Sequence, residues 1–560
     1  MEPSPALRAP SPGGRGQSPA FSLWEKVAAG RMRARIALGF LLSLAMPLFA
    51  SSRSEIRDGR WYVDGEPFYI KAVGYAPWRP HQHPGISYTD TNRHWTELDF
   101  ERIKAAHFNT VRTWDALDPE ELALAKKYDL MVLQGIWLDP KEDFSDPHNQ
   151  DSCVAQVKVV AEQSRDFDNI LGYLVMTEPS PQAVLDTGQE ETHQFFRRLK
   201  RTIQAVDPRP VSMDSWLPLA FMEHNDFDFV TFNMFAFWPK SINSTLGFAG
   251  AINWLADRFA GDRPLLIGET GGYAVSQATE TASGGSGGWD EYTQSGKDLE
   301  SLRGAVEGGA AGAVLVSWID TWHYPRDPDT HDNEPWEWDG ILGIPTDSRK
   351  DMEGIPRQVY HDLIGFNEAV LLEPKANHIY DVGSSVPIEV YGADNVAGVN
   401  YSLNGSDWKS LDASGRGWFQ GFFKFPKLAR KRQRLMIQAM DADERVLDQK
   451  EVSFLTAVLA EHVTIEPLPG AKHPNAAQFK ITVLDGRYKP VVRRKVYFGF
   501  FYPLTLRDTQ GSEMTNEAGE IIVANSLAPQ PEDRFLYVSA GTDSPDRVRA
   551  GDMRIFTIGK

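Results

Sequence analysis

The stretch Ile170-Leu171-Gly172-Tyr173-Leu174-Val175-Met176-Thr177-Glu178-Pro179 stays apolar as far as Met176 and then presents a carboxylate. A second stretch, Arg263-Pro264-Leu265-Leu266-Ile267-Gly268-Glu269-Thr270, does the same. Short apolar runs bounded by Pro and Gly read as strands buried on both faces, the kind used in parallel sheets. An acidic side chain directly after such a strand costs free energy unless it is paired or used. Two of them in equivalent places suggest a matched pair, and paired carboxylates are what cleavage of a glycosidic bond requires.

Outward from these two strands, six more short apolar runs alternate with amphipathic stretches. They are Tyr69–Gly74, Thr110–Trp114, Leu130–Trp137, Val211–Asp214, Phe227–Asn233 and Ala313–Trp318, with helical candidates at Glu97–Ala106, Glu120–Lys127, Glu190–Ala205 and Asp290–Glu307. Eight strand and helix units in ~250 residues predict an α/β chain whose main domain is a (β/α)8 TIM barrel, with its site at the C-terminal ends of the strands. Glu178 and Glu269 fall there, as do Arg112, Trp114, Trp137, Asn233 and Trp318. No glycine-rich dinucleotide turn follows the first strand, which argues against a doubly wound open sheet.

Past residue 370 the texture changes to short alternating runs such as Val386–Tyr391, Val399–Leu403 and Arg434–Ala439. A second all-β stretch follows, with Phe479–Leu484, Arg494–Phe501, Glu520–Val523 and Phe535–Ala540. The predicted division is a leader at 1–52, a (β/α)8 domain at 53–370, an immunoglobulin-like β-sandwich at 371–457 and a second β-rich domain at 458–560. In the leader, Met32-Arg33-Ala34-Arg35 precedes an uncharged run to Ala50-Ser51-Ser52, the layout of a signal peptide. The reading is translation from Met32, a signal at 32–52, and a periplasmic or secreted product. An uncleaved segment serving as a membrane tether is the rival.

The 560 residues carry a formal net charge of −18, which argues against a nucleic-acid partner and suits a neutral substrate. Cys153 is the single cysteine, so no disulfide framework exists and a zinc or redox site is disfavoured. Neither a metal nor a cofactor is implied. Sixteen Trp and seventeen Tyr supply flat faces that stack on sugar rings, though most such aromatics serve as core.

In a retaining glycosidase, one protonated carboxyl serves the leaving oxygen while an ionised carboxylate attacks the anomeric carbon. Glu178, behind Val175 and Met176, is the acid/base candidate, and Glu269 the nucleophile, with Arg112 at the end of the second strand tuning it.

These residues resemble clan A of the glycoside hydrolases over roughly residues 60–345. Thr177-Glu178-Pro179 is similar to the clan's Asn-Glu-Pro motif, Gly268-Glu269 to its nucleophile strand, and Asn109-Thr110-Val111-Arg112 to its Asn-x-x-Arg segment. Ser317-Trp318 looks like the tryptophan beneath the sugar. Within the clan, Ile70–Tyr75 and Asp207–Val211 look most like family two β-glycosidases, and also like β-1,3-glucanosyltransferases. The resemblance implies double displacement on β-linked glycans, with Arg112, Trp114, Thr177, Asn233 and Trp318 around the sugar and an oligo- or polysaccharide as partner.

Two positions depart from the clan's pattern. Thr177 stands where an Asn usually bonds the sugar 2-hydroxyl, and Phe235 stands where a Tyr commonly supports the nucleophile. A catalytically silent barrel that only binds surface glycan would explain both. The loops after the first and last strands, holding Trp78 with His81 and His83, and Asp320, Trp322, His323, Tyr324, His331, Trp336, Trp338 and Asp339, have the composition of further sugar subsites.

Overall fold

The computed structural model describes residues 54–82, 90–275, 286–322, 328–376, 378–380, 384–424, 432–456, 461–468, 477–543 and 549–558. The leader, His83, His323 and Tyr324 lie outside the described residues.

Three short antiparallel strands come first: β1 (Ser54–Arg57), β2 (Arg60–Val63) and β3 (Glu66–Phe68). Eight parallel strands then close into a barrel: β4 (Ile70–Tyr75), β5 (Thr110–Thr113), β6 (Met131–Ile136), β7 (Ile170–Thr177), β8 (Val211–Trp216), β9 (Val230–Asn233), β10 (Leu265–Gly271) and β11 (Gly312–Val316), with β11 pairing back onto β4. All eight predicted runs are barrel strands, displaced by a few residues at their ends. Side chains alternate as a barrel demands. Ile70, Ala72, Met131, Leu133, Leu266, Val314 and Val316 fill the interior. Val73, Tyr75, Val132, Ile136, Leu265, Ile267 and Leu315 face the helices.

The β1–β3 sheet packs on the N-terminal end of the barrel. Trp61 is fully buried and meets Phe229 edge-on at 4.9 Å, while the Ser54 hydroxyl donates to the Leu171 carbonyl at 2.6 Å. With its lower end filled, the barrel leaves the C-terminal face for chemistry.

Helices Asp90–Ala105, Pro119–Lys127, Pro147–Ser164, Gln189–Gln204 and Glu291–Glu307 cover the outside. Between β8 and β9 the chain forms only a 3-10 turn, Leu217–Leu219. The last β unit covers that stretch: Phe535 stacks on Phe221 at 4.3 Å, and the Tyr537 hydroxyl donates to the Pro218 carbonyl at 3.1 Å. Phe501, Tyr537 and Met553 join the layer of apolar residues outside the barrel strands. Each large side chain buried in this way contributes about 1.5–3 kcal/mol, so this unit is part of the barrel wall. Its sheets run His462–Pro467, Gln478–Leu484, Glu520–Ala524 and Arg507–Met514, Lys495–Tyr502, Phe535–Asp543, Arg549–Thr557.

The preceding unit is a sandwich of four- and five-stranded sheets around Val386, Ile388, Val390, Leu435, Ile437 and Phe454. It meets the small N-terminal sheet where Arg60 pairs with Glu389 at 3.2 Å and the Trp418 indole N–H donates to the Pro67 carbonyl at 2.6 Å.

Candidate active site

Glu178 follows β7 directly, and the β7–β8 register slips between Val175 and Thr177. The slip places Met176 and Glu178 in the left-handed region, at φ 57° and 51°. Neither residue type adopts this readily, at about 1–2 kcal/mol each. The β9–β10 register likewise slips between Ile267 and Glu269. Bulges of this kind re-aim a side chain at the end of a strand, and here one precedes each glutamate.

Gly268 shows why no larger residue fits between them. An added Cβ would stand 2.1 Å from Asp214 Oδ1 and 2.8 Å from Asn233 Oδ1. Gly268→Ala is expected to cost roughly 1–3 kcal/mol by overpacking, seen as a lower urea midpoint with an unchanged slope.

Around the glutamates stand one cation and several hydrogen-bonding groups. Arg112, fully buried on β5, pairs through Nη2 with Asp214 Oδ2 in the second half of β8, and the same nitrogen lies 3.1 Å from Glu269 Oε1. It also donates to the Thr177 hydroxyl oxygen at 3.3 Å. Trp114 donates its indole N–H to Glu269 Oε1 at 2.8 Å, and the Arg112 guanidinium lies over its ring at 4.3 Å. Asn233 donates through Nδ2 to Glu178 Oε1 at 3.1 Å. The backbone supports the same arrangement, with Glu178 N donating to Asp214 O at 2.7 Å and Met234 N to Glu269 O at 2.9 Å.

The two carboxyls differ in state. Burial, then repulsion from Glu269, raises Glu178 well above the usual carboxylate range, against the Asn233 hydrogen bond that lowers it. Glu269 is pushed up to about 7 by burial, with Arg112 pulling it down, Asp214 raising it and the Trp114 hydrogen bond lowering it. Glu178 therefore holds its proton while Glu269 ionises near neutrality, the separation that acid and nucleophile roles require.

Arg112, Trp114, Thr177, Asn233, Glu178 and Glu269 come together as one constellation. Trp114, expected against the sugar, instead supplies the hydrogen bond to Glu269 that Phe235 lacks a hydroxyl to give. Trp114→Phe keeps the ring under Arg112 but removes the donor. It is expected to raise the pKa of Glu269 and lower kcat/KM by about 10- to 100-fold, with the acid limb of the pH–rate profile moved upward.

Trp318 is a correction. Its indole is fully buried and packs edge-on against Tyr360 at 6.1 Å, among the residues outside the barrel strands, so it supports strand β11 and offers no face to a sugar. Trp322 is also a brace, stacked on His331 at 4.4 Å with its N–H on the Ile344 carbonyl at 3.0 Å, while His331 stacks in turn on Trp338 at 3.6 Å. Trp78 is buried in the loop after β4.

Asp214 carries no role in the sequence reading although it closes the run Val211–Asp214. A carboxylate ending an apolar strand, the rule that picks out the two glutamates, also picks out Asp214. Among the described residues no group of three His, Cys, Asp or Glu could hold a metal ion.

No family model matches the sequence, and no curated protein matches it. Among solved structures, a Parabacteroides merdae β-glucuronidase with glycerol in its active site aligns at TM-score 0.43 and 11% identity over 90% of this chain and 64% of that one. A Bacteroides uniformis β-glucuronidase aligns at TM-score 0.43 and 13% identity over 90% and 65%. A Ruminococcus gnavus β-glucuronidase in complex with a C6-substituted uronic isofagomine aligns at TM-score 0.44 and 15% identity over 56% and 52%. The chain thus spans 64% and 65% of the length of the first two enzymes.

Proposed function

We propose that this chain is an exported, retaining glycoside hydrolase or transglycosylase that acts on β-linked glycans by double displacement. The observation that carries the reading is the convergence of Glu178 and Glu269 on Arg112, Asp214 and Asn233, with burial holding Glu178 protonated while Arg112 and Trp114 bond Glu269. Glu178 donates its proton to the glycosidic oxygen as Glu269 attacks the anomeric carbon, and the C–O bond to the leaving group breaks. Glu178, now ionised, takes a proton from the incoming water or sugar hydroxyl, which displaces Glu269 and completes retention.

Hydrolysis and transfer differ only in that second acceptor. Trp137, 44% exposed just beyond β6, offers a stacking face on the strand next to β7. Its loop is tied to the Glu178 loop by Ser180 N donating to Pro140 O at 2.8 Å. Export rests on the signal layout at 32–52.

The second reading is a barrel that binds surface glycan without cleaving it. Thr177 and Phe235 favour it, as does the near-complete enclosure of Glu178 and Glu269, at 5% and 4% exposure. The deciding experiment incubates the purified chain with β-glucans and aryl β-glycosides beside Glu178→Gln and Glu269→Gln, with products followed by mass spectrometry. Cleavage or elongation lost in both variants supports the enzyme. Binding without turnover in all three proteins supports the silent barrel.

A further inference from the structure

The turn that carries Glu178 needs support from outside itself. Met176 and Glu178 both lie in the left-handed region, at φ 57° and 51°, where such residues stay only if their surroundings hold them. On one side Glu178 N donates to Asp214 O at 2.7 Å, and on the other Ser180 N donates to Pro140 O at 2.8 Å. Between them the Trp216 indole N–H donates to the Pro179 carbonyl at 3.0 Å. The first two bonds join backbone to backbone, while the third depends on one side chain.

Trp216 is the last residue of β8 and stands opposite Asn233 of β9, which donates to Glu178 Oε1 at 3.1 Å. Its ring is buried and stacks on Trp238, in the loop after β9, with centroids 6.2 Å apart and planes 22° from parallel. Trp238 in turn meets Phe501 edge-on at 5.5 Å. Phe501 is fully buried on the strand Lys495–Tyr502 of the last β unit. That unit is seated on the helix that follows the Trp238 loop, Lys240–Leu246: Ser241 N donates to Asp508 Oδ2 and the Thr245 hydroxyl to Ser539 Oγ, both at 2.8 Å. A Cβ added at Gly541 would stand 2.0 Å from the Thr245 carbonyl oxygen, so helix and sheet meet without slack. Interiors packed this closely transmit a displacement instead of absorbing it.

We propose that Trp216 is a positioning residue for the acid/base, and that the last β unit fixes the Glu178 carboxyl against the glycosidic oxygen through the row Phe501, Trp238, Trp216 and Pro179. This rests on the glycosidase reading of the site and deepens it. Trp216 acts through the Pro179 carbonyl and leaves the reacting bond to Glu178 and Glu269. The row gives the last β unit a part in proton transfer that its distance from Glu178 in sequence conceals.

The test measures kcat/KM of the full chain, Trp216→Phe, Trp238→Leu and Phe501→Leu on two β-glycosides of one sugar, a dinitrophenyl glycoside, which departs without a proton, and a benzyl glycoside, which needs one. Trp216→Phe keeps a ring against Trp238 and removes the N–H. It is expected to lose about 10- to 100-fold on the benzyl glycoside and less than about threefold on the dinitrophenyl one. The basic limb of its pH–rate profile should move to lower pH, because burial is what chiefly keeps Glu178 protonated and a loosened turn admits water. Trp238→Leu and Phe501→Leu should show the same split to a smaller degree, and Trp238→Leu, at a part-buried ring, reads the row should Trp216→Phe not fold. Equal losses on both leaving groups, or no loss on either, overturn the positioning role. A split in Trp216→Phe that neither of the other two shares overturns the link to the last β unit. If the wild-type chain cleaves no glycoside, the glycosidase reading fails separately. The row is then read by NMR from isotope-labelled glutamate carboxyls, with Glu178→Gln assigning the signal. Glu178 should ionise at lower pH in Trp216→Phe than in the wild type, and an unchanged titration overturns the proposal.

Discussion

Glu269→Gln is expected to lower turnover of every β-glycoside substrate by ~10⁴-fold or more, because the proposed double displacement forms its new bond through the oxygen this change disables. The amide keeps an oxygen facing the Arg112 and Trp114 donors, which stand at 3.1 and 2.8 Å from Oε1, so the fold and the bound sugar should survive. Glu178→Gln acts differently. Loss of a general acid costs ~10²- to 10⁴-fold, and the cost shrinks when the leaving group is a good one, since a nitrophenolate departs without a proton. The second step still lacks its base, so with activated substrates the glycosyl-enzyme should accumulate. Intact-protein mass spectrometry of Glu178→Gln should show a gain of one sugar mass, absent from Glu269→Gln. The same residual rate in both variants on both good and poor leaving groups, with no adduct, would count against double displacement.

The parts legible in the sequence are those where one residue's chemistry conflicts with its position. Each barrel strand is a short apolar run, and a charged or aromatic residue at its end stands out against that background, which is why Arg112, Glu178 and Glu269 could be found from order alone. The direction of a side chain around a bulge is not written in the same way. Trp318 reads as a sugar platform because it ends a strand, yet the chain turns it outward against Tyr360. Trp114 reads as one of the residues around the sugar, and its N–H is aimed instead at Glu269. The last β unit reads as an independent accessory because its strands alternate as any sandwich does. Only the missing helix between β8 and β9, and the stacking of Phe535 on Phe221, show that it seals the barrel. Composition records which residues are available, while register decides which of them meet.

Asp214 is where that register has its largest energetic consequence. Asp214→Asn leaves Arg112 with Glu269 as its one ionic partner, and loss of one side of a buried pair should cost about 3 kcal/mol, the low end for such breaks because Glu269 remains. The charge it removes acts on both glutamates in one direction. Asp214 raises Glu178 and Glu269 alike, so without it both ionise at lower pH. The wild-type kcat/KM should rise as pH increases through about 7, where Glu269 ionises, and fall again at the higher pH where Glu178 does. In Asp214→Asn both limbs should move to lower pH together. Stability carries the same sign. Glu269 titrates from an ordinary 4.5 to about 7 on folding, and Asp214 is itself raised above 3.8 by burial. The folded wild type therefore holds protons that the unfolded chain releases, and it loses stability as pH climbs across that window. The variant lacks one of these groups and relaxes the other, so its deficit should be largest near pH 4 to 5 and shrink toward pH 7. Urea midpoints taken at those pH values test this: a deficit that stays constant would mean that Asp214 acts through packing, and one that widens with pH would mean that its ionised form stabilises the fold through Arg112.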